Sequence, residues 1–226
     1  IHGLRERMDL KAISNKYHIK RKKIIDADDK GYSKKNGYGK LNELLKLLKE
    51  NPNISYQKVA KKFNMKSLID WFIIELFFQN TDWPCNNTFF WKKKNKKWNC
   101  VLIDMDACIG SAKFNMFDFV LKDRSPALGG VLISYFLKQE EFKTLFLSRA
   151  NFLMENHFSP KNLELQFLKI KKQFSPLVKE HYRRWNNKNG LKNYNKALLR
   201  IELFCKNRNF HFKKNMNDFF NPSLLQ

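Results

Sequence analysis

A chain of 226 residues that is 43% hydrophobic and 15% aromatic is sized for one domain or one large lobe with a sizeable core, which excludes a mainly disordered state. Lysine and arginine number 44 against 21 aspartates and glutamates, and the formal charge of +23 suits polyanionic partners, although a composition rich in Lys, Asn, Ile and Phe produces a basic surface by itself. The cysteines Cys85, Cys100, Cys108 and Cys205 form no C-x-x-C pair, so they imply neither a zinc site nor a disulfide framework and read as isolated core thiols.

Residues 1–10 read as the end of a strand running into a turn. The chain opens "IHGLRERMDL", with no initiator Met and no signal peptide, as expected of a fragment. The Lys-, Gly- and Asp-rich stretch "YHIKRKKIIDADDKGYSKKNGYGK" reads as a long exposed connection, its Lys20–Lys23 run a solvated charge cluster. From Leu41 the apolar positions Leu41, Leu44, Leu45 and Leu48 follow helical spacing until "NPNIS" breaks it. A short helix is predicted over about 55–63. Ser67 then opens "SLID", a capping-box pattern in which Asp70 satisfies the free amides of the first turn.

The run "SLIDWFIIELFFQ" is too short to cross a bilayer and carries Asp70 and Glu75, so it reads as a buried helix ending near Gln79. The loop "NTDWPCNN" follows. "TFFWKKKNKKWNCVLIDMD" then places two apolar runs around a Lys/Asn tip, a β-hairpin over about 88–106. Helices are predicted over 128–138, 140–156, 160–174, 176–188 and 191–207. They are separated at Ser159-Pro160, Ser175-Pro176 and Asn189-Gly190. The fold class expected is α+β, mostly helical, with a small β element.

The middle of the chain thus runs helix, polar loop, hairpin, acidic strand end. Asp82 precedes Asn87 by the Asp-to-Asn offset of the kinase catalytic loop, H-R-D-x-x-x-x-N, and the hairpin after Asn87 returns to Asp104 and Asp106. These residue types suit phosphoryl transfer, which depends on positioning and charge neutralisation. Mg²⁺ takes hard oxygen ligands from carboxylates and amide carbonyls, and a separate carboxylate must reach the incoming hydroxyl. Asp82 takes that last role here, with Asn87 and Asp104 as metal ligands and Asp106 as a second or water-mediated ligand. A D-x-x-x-x-N alone means nothing and a D-x-D alone is weak. Asp82-Trp83-Pro84 also suits an ordinary turn, and Asp104 and Asp106 a polar strand terminus. Order, offset and hairpin together carry the kinase reading.

The segments "GLRERMD", "LIDWFIIELFFQNTDWPCNNTFFW", "KWNCVLIDMDACIG" and "HYRRW" resemble the CotH family of atypical kinases, the spore coat protein H type. The resemblance runs over nearly the whole chain and is densest over residues 68–110. It implies a single CotH kinase-like domain over 1–226: the larger, C-terminal lobe of a protein-kinase-like fold, with the metal site on its hairpin. Residues 1–10 would be an inter-lobe strand and linker, and 41–226 the helical lobe. The implied activity is transfer of phosphate from ATP to serine on a protein substrate with Mg²⁺ or Mn²⁺. Asp82 would be the catalytic residue and Asp104 the metal ligand, with Asn87 matching by offset and Arg5 and Glu6 near the nucleotide. A cell-surface, spore-coat or secreted setting is implied too. The chain departs from ordinary kinases in having neither a Gly-rich phosphate loop nor a strand Lys of the V-A-I-K type; these would lie upstream of residue 1, in the smaller lobe.

His2, His18, His157, His181 and His211 share no metal spacing. His181 reads as a packing residue, Arg183 and Arg184 as surface arginines, and Trp71, Trp83, Trp91 and Trp98 as core and loop anchors. Three other functions stay open: a glycosyltransferase using Asp104-Met105-Asp106, a non-catalytic polyanion binder driven by net charge, and a CotH-like surface or structural protein. The first usually needs a βαβ unit ahead of its D-x-D, and no specific nucleic-acid motif supports the second.

Overall fold

The computed structural model describes residues 9–28, 37–51, 53–122, 128–185 and 188–221. They fall into two compact units. Of the described residues, one comprises those from Asp9 to Cys108 together with Met116–Arg149; the other comprises Ile109–Asn115 and those from Ala150 onward. Arg5 and Glu6, and with them most of the expected inter-lobe strand, lie outside the described residues.

The first unit begins with α1 (Leu10–Tyr17) and β1 (Ile24–Asp28), neither of which the sequence reading anticipated. Asp9 is the reason α1 starts: its carboxylate accepts from the Lys11 and Ala12 amides at 2.8 and 3.0 Å, two of the donors a helix start leaves open. The acids of "IIDAD" disguise β1 as a polar connection. Then follow α2 (Gly37–Glu50), α3 (Tyr56–Ala60) and α4 (Met65–Phe78).

The cap of α4 corrects the Ser67 expectation. Asn64 is the N-cap and accepts from the Ser67 amide at 3.4 Å. Ser67 instead exchanges hydrogen bonds with the Cys100 main chain, its hydroxyl accepting from the amide at 2.9 Å and donating to the carbonyl at 3.3 Å. Asp70 does not cap either. It pairs with Arg149, Nε to Oδ1 at 2.6 Å and Nη2 to Oδ2 at 3.1 Å.

The predicted hairpin is present as β2 (Phe89–Lys93) and β3 (Asn99–Val101), with β1 added antiparallel on the other side of β2, Ile24 opposite Lys93. As the central strand of the order β1-β2-β3, β2 is buried on both faces. Phe90 meets Trp71 at 5.2 Å between ring centroids, while Phe89 and Trp91 pack with Ile13 and Ile24. The hairpin tip is pinned by main-chain bonds from Trp98 to Lys62 and from Asn64 to Trp98. Behind it, Phe72, Phe136 and Phe142 form a mutually touching aromatic cluster. All four tryptophans that read as core anchors are buried. The helices α5 (Met116–Lys122), α6 (Leu128–Phe136) and the first part of α7 (Glu140–Asn156) complete the unit.

In the second unit α8 (Pro160–Arg184) packs along α9 (Gly190–Phe220). The break expected at Ser175-Pro176 does not occur: α8 continues through Pro176. A proline inside a helix costs about 3 kcal/mol, and here tertiary packing outweighs it. Val178 is buried just beyond, and the Ser175 hydroxyl lies 3.0 Å from that of Tyr194 on α9. The break at Ser159-Pro160 is real, with Ser159 accepting from the Asn162 amide at 3.3 Å and the proline in the first turn. The described residues are therefore mostly helical with a small antiparallel sheet, an α+β fold.

Candidate functional site

The site is built where α4 stops and β3 stops. At the end of α4, Gln79 turns into the left-handed region (φ 61°) and the Asn80 amide returns to the Glu75 carbonyl at 3.1 Å, releasing the chain into the loop 80–88. The loop is anchored by burial: Trp83, Asn80 and Thr88 are fully enclosed, and the Trp83 ring meets Trp71 edge-on at 5.4 Å. The Trp83–Pro84 peptide is cis, and the Asn86 amide donates to the Asp82 carbonyl at 2.8 Å. Asp82 itself is exposed at the outer side of this turn.

Beyond β3 the chain reaches Asp104, also left-handed (φ 50°), and enters a 3-10 turn over Met105–Ala107. Asp and Asn tolerate this backbone region better than other non-glycine residues, and Asn87 uses it as well (φ 59°). Three side-chain contacts join loop to strand end, beside a main-chain bond from the Thr81 amide to the Ala107 carbonyl at 3.4 Å. The Asn87 side-chain amide donates to the Asp104 carbonyl at 3.2 Å, the Thr81 hydroxyl donates to the Ala107 carbonyl at 3.2 Å, and the Asn80 amide reaches the Met105 sulfur at 3.6 Å. Asp82, Asn87, Asp104 and Asp106 are thus carried on two segments bound to each other, as their order in the chain suggested. Arg5 and Glu6 lie outside the described residues.

The carboxylates of Asp82, Asp104 and Asp106 are exposed and make no ion pair or hydrogen bond among the described residues. Glu180, Glu202 and Asp218, by contrast, are each paired with a cation. Among the described residues no three Asp, Glu, His or Cys side chains converge to hold an ion unaided. The donor set still fits a hard cation that completes its shell elsewhere. It offers two carboxylates at 104 and 106 and the Asn87 carbonyl oxygen, left open while its amide nitrogen is engaged. Mg²⁺ characteristically takes one or two carboxylates and fills its octahedron with water and substrate phosphates.

Sequence reasoning missed the layer beneath. Glu75, one turn before the end of α4, is completely buried, and neither carboxylate oxygen meets a partner in hydrogen-bonding geometry. Burial pushes its pKa up to about 7, while the nearby Asn80 amide and Trp71 indole pull it back. Asn80, whose side-chain oxygen accepts from the Asp82 amide at 3.3 Å, stands between this buried acid and the exposed one. The available signal was an acid on the apolar stripe of "DWFIIELFF". Gly129 was missed too: a Cβ there would lie 2.8 Å from the Pro84 carbonyl oxygen, so α6 approaches the loop at glycine distance. Cys108 stands beside this layer as a free thiol. Burial, followed by the charges of Glu75 and Asp106, pushes its thiol up to about 12.

Among known families, the model described as CotH kinase protein matches residues 5–211. No curated protein matches the chain.

Proposed function

The chain belongs to the CotH kinase protein family, and from that premise we propose that it transfers the terminal phosphate of ATP to a serine hydroxyl of a protein, with a divalent cation, Mg²⁺ or Mn²⁺, at the loop 80–88 and strand end 104–106. The observation that carries this reading is the joining of the Asp82 loop to the Asp104 segment through Asn87, Thr81 and Asn80. A general base and a metal-binding carboxylate must be held together but must not neutralise each other, and two exposed acids on mutually bonded segments meet both conditions.

In this assignment Asp82 accepts the proton of the serine hydroxyl as its oxygen bonds to phosphorus and the bond to the ADP oxygen breaks. Asp82 is oriented by Asn80, which holds its amide, and by the turn bond from Asn86. Asp104 and Asp106, with the Asn87 carbonyl oxygen, would hold the cation. When bound, the cation supplies neutralisation of phosphate charge. Arg5 and Glu6 are assigned to the nucleotide side.

The test is thermal unfolding of the chain titrated with ATP and Mg²⁺ or Mn²⁺, beside Asp104→Ala, with transfer to serine and threonine peptides measured in parallel. Ligand that binds only the folded state stabilises it by about 2.7 kcal/mol at a hundred times its dissociation constant. The wild-type chain is expected to show this stabilisation only when metal and nucleotide are both present, and Asp104→Ala to lose it. Asp82→Asn should retain nucleotide binding and lose transfer. Full transfer by Asp104→Ala would sink the assignment.

A further inference from the structure

The basic residues of α9 fall into two populations. Lys206 pairs with Glu202 and Lys214 with Asp218, each one turn apart. Lys196 and Arg200 are also one turn apart, yet they set two like charges on one strip of the helix, an arrangement unfavourable to a helix by itself. Neither forms an ion pair among the described residues, and neither does Lys113 on the segment 109–115.

These three unpaired cations line one cavity of about 510 Å³, whose wall continues through Asn207 and His211 of α9 and Gly110 and Ser111 of the facing segment. Among the described residues no carboxylate lines it. His211 stands on this wall beside Lys113. Its imidazole is held below its ordinary pKa first by desolvation and then by the charges of Lys113, Arg208 and Lys214. The wall is preformed. The buried Arg208 guanidinium donates to the carbonyls of Ala112 and Phe114 at 3.0 and 2.8 Å, and the Asn215 amide reaches the latter at 3.4 Å. Between the charges lie Leu199 and Leu203, 58% and 50% exposed.

The occupant must therefore be anionic and must also offer aliphatic surface. A free phosphate has the charge but not the apolar side, and is far smaller than the cavity. Single-stranded nucleic acid has the charge but binds mainly through successive bases stacked on aromatic side chains, and among the described residues no Phe, Tyr or Trp lines this wall, His211 being its one ring. An acidic peptide supplies both. We propose that the cavity is a docking site for an acidic peptide segment, its carboxylates on Lys113, Lys196 and Arg200 and a neighbouring aliphatic side chain on Leu199 and Leu203. That this segment belongs to the phosphate acceptor rests on the phosphotransfer reading above; the docking itself does not.

Fluorescence anisotropy of a labelled peptide alternating Glu and Leu, with the full chain, tests it. Lys196→Glu/Arg200→Glu is expected to weaken binding at least tenfold. Lys172→Glu/Lys179→Glu, on exposed positions of α8 outside the cavity and identical in net charge, should change it less than twofold. The Gln-for-Glu peptide should not bind, and the His211 ring signals should shift on saturation with the acidic one. Equal losses in the two double variants would overturn the site, because the overall charge of +23 would then be what attracts the peptide. Preferential binding of a single-stranded oligodeoxynucleotide of equal charge, lost in Lys196→Glu/Arg200→Glu, would overturn it in favour of nucleic acid. Peptide docking by a wild-type chain that transfers no phosphate would refute the kinase reading and leave the site standing. Transfer that uses acidic and neutral serine peptides alike, untouched by charge reversal at 196 and 200, would do the opposite.

Discussion

Each of the two units encloses a charged side chain completely, and the two are treated in opposite ways. In the helical unit Arg208 lies between Phe204 and Phe212, its guanidinium carbon 5.9 and 5.3 Å from their ring centres, and two main-chain carbonyls accept from it. Burial lowers its pKa to about 9, so it stays charged at neutral pH. In the unit that carries the acidic loop, Glu75 is as deeply enclosed and has no partner in hydrogen-bonding geometry. A satisfied buried charge anchors a segment; an unsatisfied one stores free energy beside a site. Structural packing explains the first kind completely and does not explain the second, which points back to the loop above it.

The largest expected effect follows from the anchored charge. Arg208→Ala removes a long side chain from between two aromatic rings, takes away its hydrogen bond to the Ala112 carbonyl and leaves that of Phe114 with the longer bond from Asn215, a loss of about 3–5 kcal/mol. Urea unfolding followed by circular dichroism measures it. Arg208→Met, which keeps much of the volume, should recover part of the loss. An unchanged midpoint in the alanine variant would remove the anchor from the comparison.

Glu75 should respond with the opposite sign. Its folded-state pKa of about 7 lies above the usual 4.5, so between those values the folded protein keeps a proton that the unfolded chain has released. Stability contributed by this residue therefore falls as pH rises from about 4.5 to about 7 and stays low above that. At about 1.4 kcal/mol per pH step the interval amounts to about 3 kcal/mol. Glu75→Gln should be more stable than wild type by about that amount at pH 8 and no more stable at pH 4. Parallel pH profiles of melting temperature for the two proteins would show that Glu75 is satisfied after all.

Gly129 sharpens the comparison from the side of the loop. The Cβ of Gly129→Ala would fall 2.8 Å from the Pro84 carbonyl oxygen and 2.9 Å from the Thr88 methyl. The first is main chain and cannot swing away. Overpacking of this kind costs about 1–3 kcal/mol. Because the displaced segment carries Asp82 and Asn87, nucleotide-dependent stabilisation should fall more than intrinsic stability does. A loss of stability with nucleotide response intact would mean that the loop tolerates displacement.

What was legible in the sequence follows the same division between patterned burial and isolated contact. The α4 helix, the hairpin, the helices over 128–156 and the Asp82-to-Asp104 order were readable because periodic apolar runs and their punctuation are local signals. The cap at Asn64 was not, because Ser67 fitted a local rule while its hydroxyl was committed to Cys100 across 33 positions of chain. The break at Pro176 was overruled by the contact of α8 with α9, which no window along the sequence contains. The strand β1 was hidden by its own acids. Glu75 and Gly129 were missed because each looks ordinary until the loop is folded over it. The triple contact of Asn80, Thr81 and Asn87 with 104–107 is likewise tertiary, although the residues that make it stand in the loop whose Asp-to-Asn offset is a local signal.

Asp70 gives the smallest effect and the closest test of the principle, since it shares α4 with Glu75. Its pair with Arg149 is bidentate, and the hydrogen bond to Asp70 is the first cause of the raised arginine pKa. More than a quarter of each side chain is nevertheless open to solvent. Water and salt screen such a pair, and exposed ion pairs contribute about 0–1 kcal/mol even when well formed. Asp70→Asn is therefore expected to lose less than about 1 kcal/mol, and the loss should shrink as salt is raised, measured by urea unfolding at two ionic strengths. The carboxylate with the better geometry would then matter less than the carboxylate with none, because enclosure decides how strongly a charge acts on the fold. A salt-independent loss above about 2 kcal/mol would place Asp70 with the anchors, beside Arg208, and partner geometry would replace enclosure as the controlling quantity on α4.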